Sequence, residues 1–135
     1  LTHRSYSYEN GQIPNNERLE FLGDAVLGFV VTAHIHETLT ELPEGELTKV
    51  KNAVVSASAL SKVAAEIGLG DFLRLGRGEE QTGGRSKPNL LADAFEAILG
   101  AAYVSLGLEA SQALIEKFVF PLLADPDALR ERHRD

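Results

Sequence analysis

Leu19–Ala33 reads LEFLGDAVLGFVVTA, and Leu90–Val104 reads LLADAFEAILGAAYV. In the first stretch the ionisable residues are Glu20 and Asp24; in the second the strongly acidic or basic ones are Asp93 and Glu96. The apolar residues do not alternate with polar ones, as they do in half-buried strands. They fall on every side of a helical wheel, which predicts two interior helices. A carboxylate there either protonates or finds a cation, and neither helix carries a Lys or Arg to supply one. Residues four or three apart share a helix face, so Glu20 with Asp24, and Asp93 with Glu96, each present two carboxylates together. Glu17, one turn before Glu20, extends the first acidic stripe. Small residues at Gly23, Gly28, Ala94, Ala97 and Ala101 let backbones approach closely. A glycine inside a helix costs about 1 kcal/mol against alanine, so two in one helix imply a packing reason.

Working outward, the pattern stays helical and predicts an all-α single domain over residues 1–135. After an irregular opening with Gly11 and Pro14, Asn15 and Asn16 offer an N-cap for a helix running to about Thr40, with Pro43 ending it. A shorter helix follows near Gly45 to Val55. Ser56 or Ser58 caps the next, which stops at Gly68, a plausible left-handed residue. Leu75 to Lys87, with four glycines among Arg77, Arg85 and Lys87, reads as the main irregular segment. Pro88 then starts a helix lasting to about Leu106, Gly107 breaks it, and another covers Glu109 to Val119. Pro121 interrupts, and a polar tail, Arg130 to Asp135, follows.

Composition narrows the function. At 135 residues, with 44% hydrophobic and 24% charged, the chain has length for one domain with a core. Cysteine is absent, so any metal is held by oxygen or imidazole. The longest stretches without Asp, Glu, Lys or Arg, Ala25–His36 and Ala97–Leu108, fall short of the roughly 20 apolar residues of a bilayer span, so no membrane role is expected. No secretory signal is recognisable, and a cytoplasmic location is expected. A net charge of −7 argues against a nonspecific polyanion binder, so a nucleic-acid role has to rest on local features. Methionine is absent even at position 1, which implies that the chain is cut from something longer.

If the two acidic helices face each other, four carboxylates converge in an apolar setting. Divalent cations balance them without a matching set of basic residues, and oxygen-only ligation points to Mg²⁺ or Mn²⁺. A bland reading stands beside this one: acids near a helix start favour its dipole, and Asp93 and Glu96 follow soon after Pro88. A di-iron centre wants Glu-x-x-His on two helices, and the sequence has none. His34 and His36, two apart, point to different faces and read as ordinary helix residues. The Gly-rich segment fits neither GxGxxG nor a P-loop, so no nucleotide cofactor is expected.

Asn16–Asp24, NERLEFLGD, closely resembles the signature of the ribonuclease III family of double-stranded RNA endonucleases. LTHRS at Leu1–Ser5, PEGEL around Glu44–Leu47, LGRGEEQTGGR at Leu75–Arg85 and LADAFEAIL at Leu91–Leu99 resemble bacterial members in order and spacing. The resemblance covers essentially the whole chain and is to the catalytic domain. It implies that Glu20, Asp24, Asp93 and Glu96 are the metal ligands, with Asp24 and Glu96 catalytic and Glu96 the least dispensable. It further implies that Mg²⁺, with Mn²⁺ as substitute, serves hydrolysis of duplex RNA to 5′-phosphate and 3′-hydroxyl ends in rRNA and mRNA processing, by a homodimer. Glu17 and Glu44 match acidic positions near the interface and active-site valley, where a structural and a secondary metal role stand equal. Arg74, Arg77, Arg85 and Lys87 form a basic edge for phosphates, with a solvated loop balanced by Glu79 and Glu80 as the alternative. Phe21, Leu22 and Phe29 are assigned to the core ahead of a partner contact. Bacterial relatives precede LTHRS with a helix and continue into a double-stranded RNA-binding domain. Lacking both, this chain is expected to bind RNA weakly and with strong salt sensitivity. Two other classes stay open: a non-catalytic RNA-binding or ribosome-associated relative, which could lose an acid without penalty, and an all-α nucleotide pyrophosphohydrolase, whose Glu-x-x-Glu and Glu-x-x-Asp spacing Glu20 and Asp24 do not match.

Overall fold

The computed structural model describes residues 1–11 and 15–124. Seven α-helices form them: α1 (Arg4–Glu9), α2 (Glu17–Thr38), α3 (Glu44–Val55), α4 (Ala57–Glu66), α5 (Arg77–Gln81), α6 (Pro88–Leu106) and α7 (Leu108–Phe118). Three short 3₁₀ turns, Leu69–Phe72, Gly84–Ser86 and Phe120–Ala124, complete the path. Among the described residues the extended pairing is a single parallel bridge between Thr2 and Arg74. The all-α expectation holds.

Helix α6 is the centre. Leu91, Ala92, Ala94, Phe95, Ala97 and Leu99 are buried on it, against Val26, Leu27, Val30, Val31 and Ile35 of α2, Leu60, Val63 and Ala64 of α4, and Ile115 of α7. Burying side chains of this size contributes about 1.5–3 kcal/mol each. By length and composition α2 and α6 could also cross a membrane. Of the apolar windows, 33% in α2 and 44% in α6 is buried in the core they share.

The caps follow sequence chemistry. The Ser56 hydroxyl accepts the Ala59 N–H at 3.1 Å and so starts α4. Gly68 adopts φ 71°, a left-handed conformation that ends that helical stretch at little steric cost. The Asn15 side chain accepts the Glu17 N–H at 2.9 Å at the head of α2. Pro43 does not end α2, which closes at Leu39, but caps α3.

Three expectations need correction. The opening is not irregular: His3 caps α1 with its ring, and the His3 N–H donates to Arg74 O at 3.0 Å. The segment 75–87 contains α5 and a 3₁₀ turn, because Glu9 and Ser5 receive its backbone N–H groups at Arg77 and Gly76. Helix α2 is not interior all round. Its buried residues form one stripe, and Phe21 and Phe29 are 81% and 63% exposed, so neither is core. Leu22 is partly buried against the core. Residues 125–135, including the expected polar tail, and Pro14 lie outside the described residues.

Candidate metal centre

The site begins at a crossing of two backbones. A Cβ placed on Gly23 of α2 would collide with the Glu96 carbonyl of α6, and one on Gly100 of α6 would collide with the Leu19 carbonyl of α2. Each glycine thus admits the other helix's main chain, with Ala94 and Ala97 fully buried on α6. Asp and Glu have short side chains, and this proximity is what lets acids on separate helices meet. Gly28 has a different neighbour: its Cβ position is 3.7 Å from the Lys51 stem of α3, an ordinary contact. Gly100 was not among the small residues singled out from sequence. The signal was available, since it stands four residues after Glu96, on the same stripe.

Over this crossing, carboxylate oxygens of Glu20, Asp93 and Glu96 lie within 4.8 Å of one another. Glu20 and Asp93 are hydrogen-bonded to each other, as are Asp24 and Glu96. Two carboxyl groups share a hydrogen bond only if one keeps its proton. Burial, reinforced by the hydrogen bond and charge of Asp24, pushes Glu96 up to about 9. Burial, with the charge and hydrogen bond of Asp93, raises Glu20 to about 7. Glu96 is 9% exposed, whereas Asp24 opens to solvent and stands outside the close trio.

The ion pairs among the described residues are Arg4–Glu17, Lys49–Glu46, Arg85–Glu80 and Lys87–Glu79; none reaches the four acids. Arg4 acts on Glu20 only as a more distant charge. An acidic site that holds its protons for want of a cation fits a hard divalent ion, which would replace the protons and keep the carboxylates ionised.

Glu17 is exposed and pairs with Arg4 at 3.7 Å beside the cluster. Glu44 lines a groove between α2 and α3 with His36 and Lys51, and the structure does not bring it into the close trio. Of the basic edge, Arg85 is a staple: Nη1 donates to the carbonyls of Gly70 and Leu73 at 3.0 and 2.7 Å, and Nε to Glu80 at 2.8 Å. Lys87 Nζ donates to Glu79 at 2.6 Å and Thr82 at 3.0 Å. Arg74 and Arg77 are exposed and enter none of the described ion pairs. His34 stacks on Phe120 at 4.0 Å. His3, passed over as a single residue in the sequence, feels the charges of Glu79, Asp93 and Glu17, but burial and the charge of Arg4 lower its pKa.

A family model described as Ribonuclease-III-like matches residues 1–123. Ribonuclease 3 of Leifsonia xyli is 56% identical over 127 residues, 94% of this chain and 54% of that protein. Ribonuclease 3 of Streptomyces coelicolor is 55% identical over 123 residues, 91% of this chain and 45% of that protein. The chain spans about half the length of the curated relatives it matches. Two structures of the nuclease domain of Ribonuclease III from Campylobacter jejuni superpose with TM-scores of 0.83 and 0.81 at 39% identity. They cover 90% of this chain and 82% and 80% of theirs, and one was described for flexibility in a region involved in dimer formation. Fold, sequence and family model agree, and this chain belongs to the ribonuclease-III-like family.

Proposed function

We propose that this chain is the catalytic domain of a metal-dependent endoribonuclease that hydrolyses phosphodiester bonds of double-stranded RNA, leaving 5′-phosphate and 3′-hydroxyl ends. The observation that carries the proposal is the meeting of Glu20, Asp93 and Glu96 from two helices, with no basic side chain paired to them among the described residues. These three hold Mg²⁺, or Mn²⁺ in its place, and Asp24 completes the set. The chemistry such an ion supplies is activation of a water and stabilisation of charge on the attacking and leaving oxygens. Asp24, open to solvent and hydrogen-bonded to Glu96, orients that buried carboxylate and faces the incoming backbone. Glu17 and Glu44 serve as flanking acids.

Duplex RNA is read through backbone and shape, because its deep major groove hides base edges from side chains. Arg74 and Arg77 have their charges to offer; Arg85 and Lys87 reach phosphate only by leaving Glu80 and Glu79. A homodimer is supported by the surface. Exposed Phe21 stands beside a recess lined by Leu22 and Val104, and an aromatic next to an apolar recess on one face is a pairing that a two-fold axis uses twice.

The test is cleavage of end-labelled duplex RNA at low salt with Mg²⁺ and then Mn²⁺, with Glu96→Gln in parallel and product ends mapped. Metal-dependent cuts bearing 5′-phosphates, lost in the variant, are expected. A folded protein that binds Mn²⁺, dimerises and leaves the duplex intact overturns the reading. Sedimentation of Phe21→Ala checks the dimer, with a monomer expected.

A further inference from the structure

Two features of the α2–α3 face are unused by the site as described, and each explains the other. Gly28 is inside a helix yet admits no backbone, and Lys51 is a half-buried lysine that enters none of the ion pairs among the described residues. Lys51 lies across Gly28, with Cε 3.7 Å and Nζ 3.8 Å from where a Cβ would stand. Its stem gains contact there, and the residue lines a groove together with Thr32, His36, Glu44 and Thr48.

The position along α2 gives this meaning. Glu20, Asp24 and Gly28 follow at intervals of four and so run along one face, about 6 Å from one to the next. The ammonium therefore sits one turn beyond Asp24, on the surface that carries the acid cluster. The acids face the strand through the ion they would hold, and a fixed positive charge further along the stripe meets the backbone where it passes. Lys49 on the same helix is paired to Glu46, whereas Lys51 enters none of the ion pairs among the described residues.

We infer that Lys51, held over Gly28, binds a non-bridging oxygen of a phosphate next along the strand from the one the four acids face, and so sets how the RNA backbone enters the site. The inference rests on the duplex RNA reading above. Lys51 is a compact point charge suited to phosphate, and its role is in binding and register, not in bond cleavage.

The experiment compares wild type, Lys51→Met and Lys51→Arg in duplex cleavage with Mg²⁺ at several salt concentrations, alongside thermal melting and Mn²⁺ affinity. Met keeps an apolar stem over Gly28 and deletes the charge; Arg keeps both. The expected result is a KM raised several-fold in Lys51→Met, a slope of log affinity against log salt smaller by about one, and unchanged melting and Mn²⁺ affinity. Lys51→Arg restores most of the KM. Wild-type KM and salt slope in Lys51→Met overturn the inference, as does an equal loss in both variants, which assigns the effect to shape. Failure of the wild type to cut duplex RNA removes the underlying reading instead, so the two failures are distinct.

Discussion

The α2–α6 crossing and the segment from Gly70 to Lys87 handle charge in opposite ways. At the crossing, acids from two helices share hydrogen bonds with one another and no cation is bonded to them. In the segment Arg85 and Lys87 have each found a carboxylate, and Arg85 two carbonyls besides, while Arg74 and Arg77 stay exposed. A paired region is finished as it stands, and its chemistry is structural. An unpaired one stays chemically open, and the carboxylate cluster here is compatible with a divalent cation. Charge left over, not charge present, separates a site from a surface.

The most damaging way to break the comparison is to push the helices apart. Gly23→Ala or Gly100→Ala drives a methyl into a main-chain carbonyl, which has no rotamer through which to yield. We expect a loss of about 3 kcal/mol or more, read by denaturant unfolding, together with loss of Mn²⁺ binding. Near-normal stability in both would mean that the crossing is looser than drawn.

A second test uses pH. Glu20 and Glu96 have pKa values of about 7 and about 9, raised from 4.5, so folding favours their protonated forms. Their contribution is fully present below about pH 4.5 and is lost as pH rises through 7 and then 9. In EDTA the melting temperature should therefore fall between pH 6 and 9.5, and Glu96→Gln should flatten the upper part of that fall. Because ions compete with protons for these oxygens, stabilisation by Mg²⁺ should be larger at pH 8.5 than at pH 6. A melting temperature that climbs with pH in EDTA would refute the proton-held site. In cleavage, Glu96→Gln should cost at least about 100-fold, the upper end of what even an outer-layer change costs a metal site.

The same contrast explains what could be read from sequence. Glu20, Asp93 and Glu96 stood out in two apolar stretches because burial of a charge is costly wherever the helices lie, whereas Asp24, which is exposed, stood out by its spacing from Glu20. The basic segment was not. Whether Arg85 reaches RNA or the carbonyls of Gly70 and Leu73 depends on where a flexible side chain ends, and neither carbonyl has a sequence signature. Phe21 and Phe29 misled for a related reason: apolar composition shows that a residue avoids water, but not whether its own core or another copy covers it. Helix α1 was invisible because tertiary partners, Arg74 and the α5 backbone, hold a six-residue helix that could not stand alone.

Within that segment the two paired cations, Arg85 and Lys87, should also separate. Arg85→Met leaves the Gly70 and Leu73 carbonyls without their donor, so hydrogen exchange should quicken across residues 70–75 and melting should drop. Lys87→Met breaks a partly exposed pair with Glu79 and leaves no backbone carbonyl without a donor, so melting should move less. Equal effects would mean that Arg85 is not a staple.

The smallest expected effect marks where the crossing ends. Gly28 is on the same helix as Gly23 and looks equivalent in sequence, yet the space its absent side chain leaves meets only the Lys51 stem at ordinary contact distance. An added methyl there clashes with nothing and removes the flexibility a glycine gives the unfolded chain. Gly28→Ala should therefore be neutral or stabilise by up to about 1 kcal/mol in the same denaturant assay that Gly23→Ala fails. Metal affinity should stay at the wild-type value, since no carboxylate shifts. Destabilisation instead would show that Lys51 fits too closely over Gly28 to yield, and the tight crossing would then extend a further turn along α2, as far as the groove with Glu44.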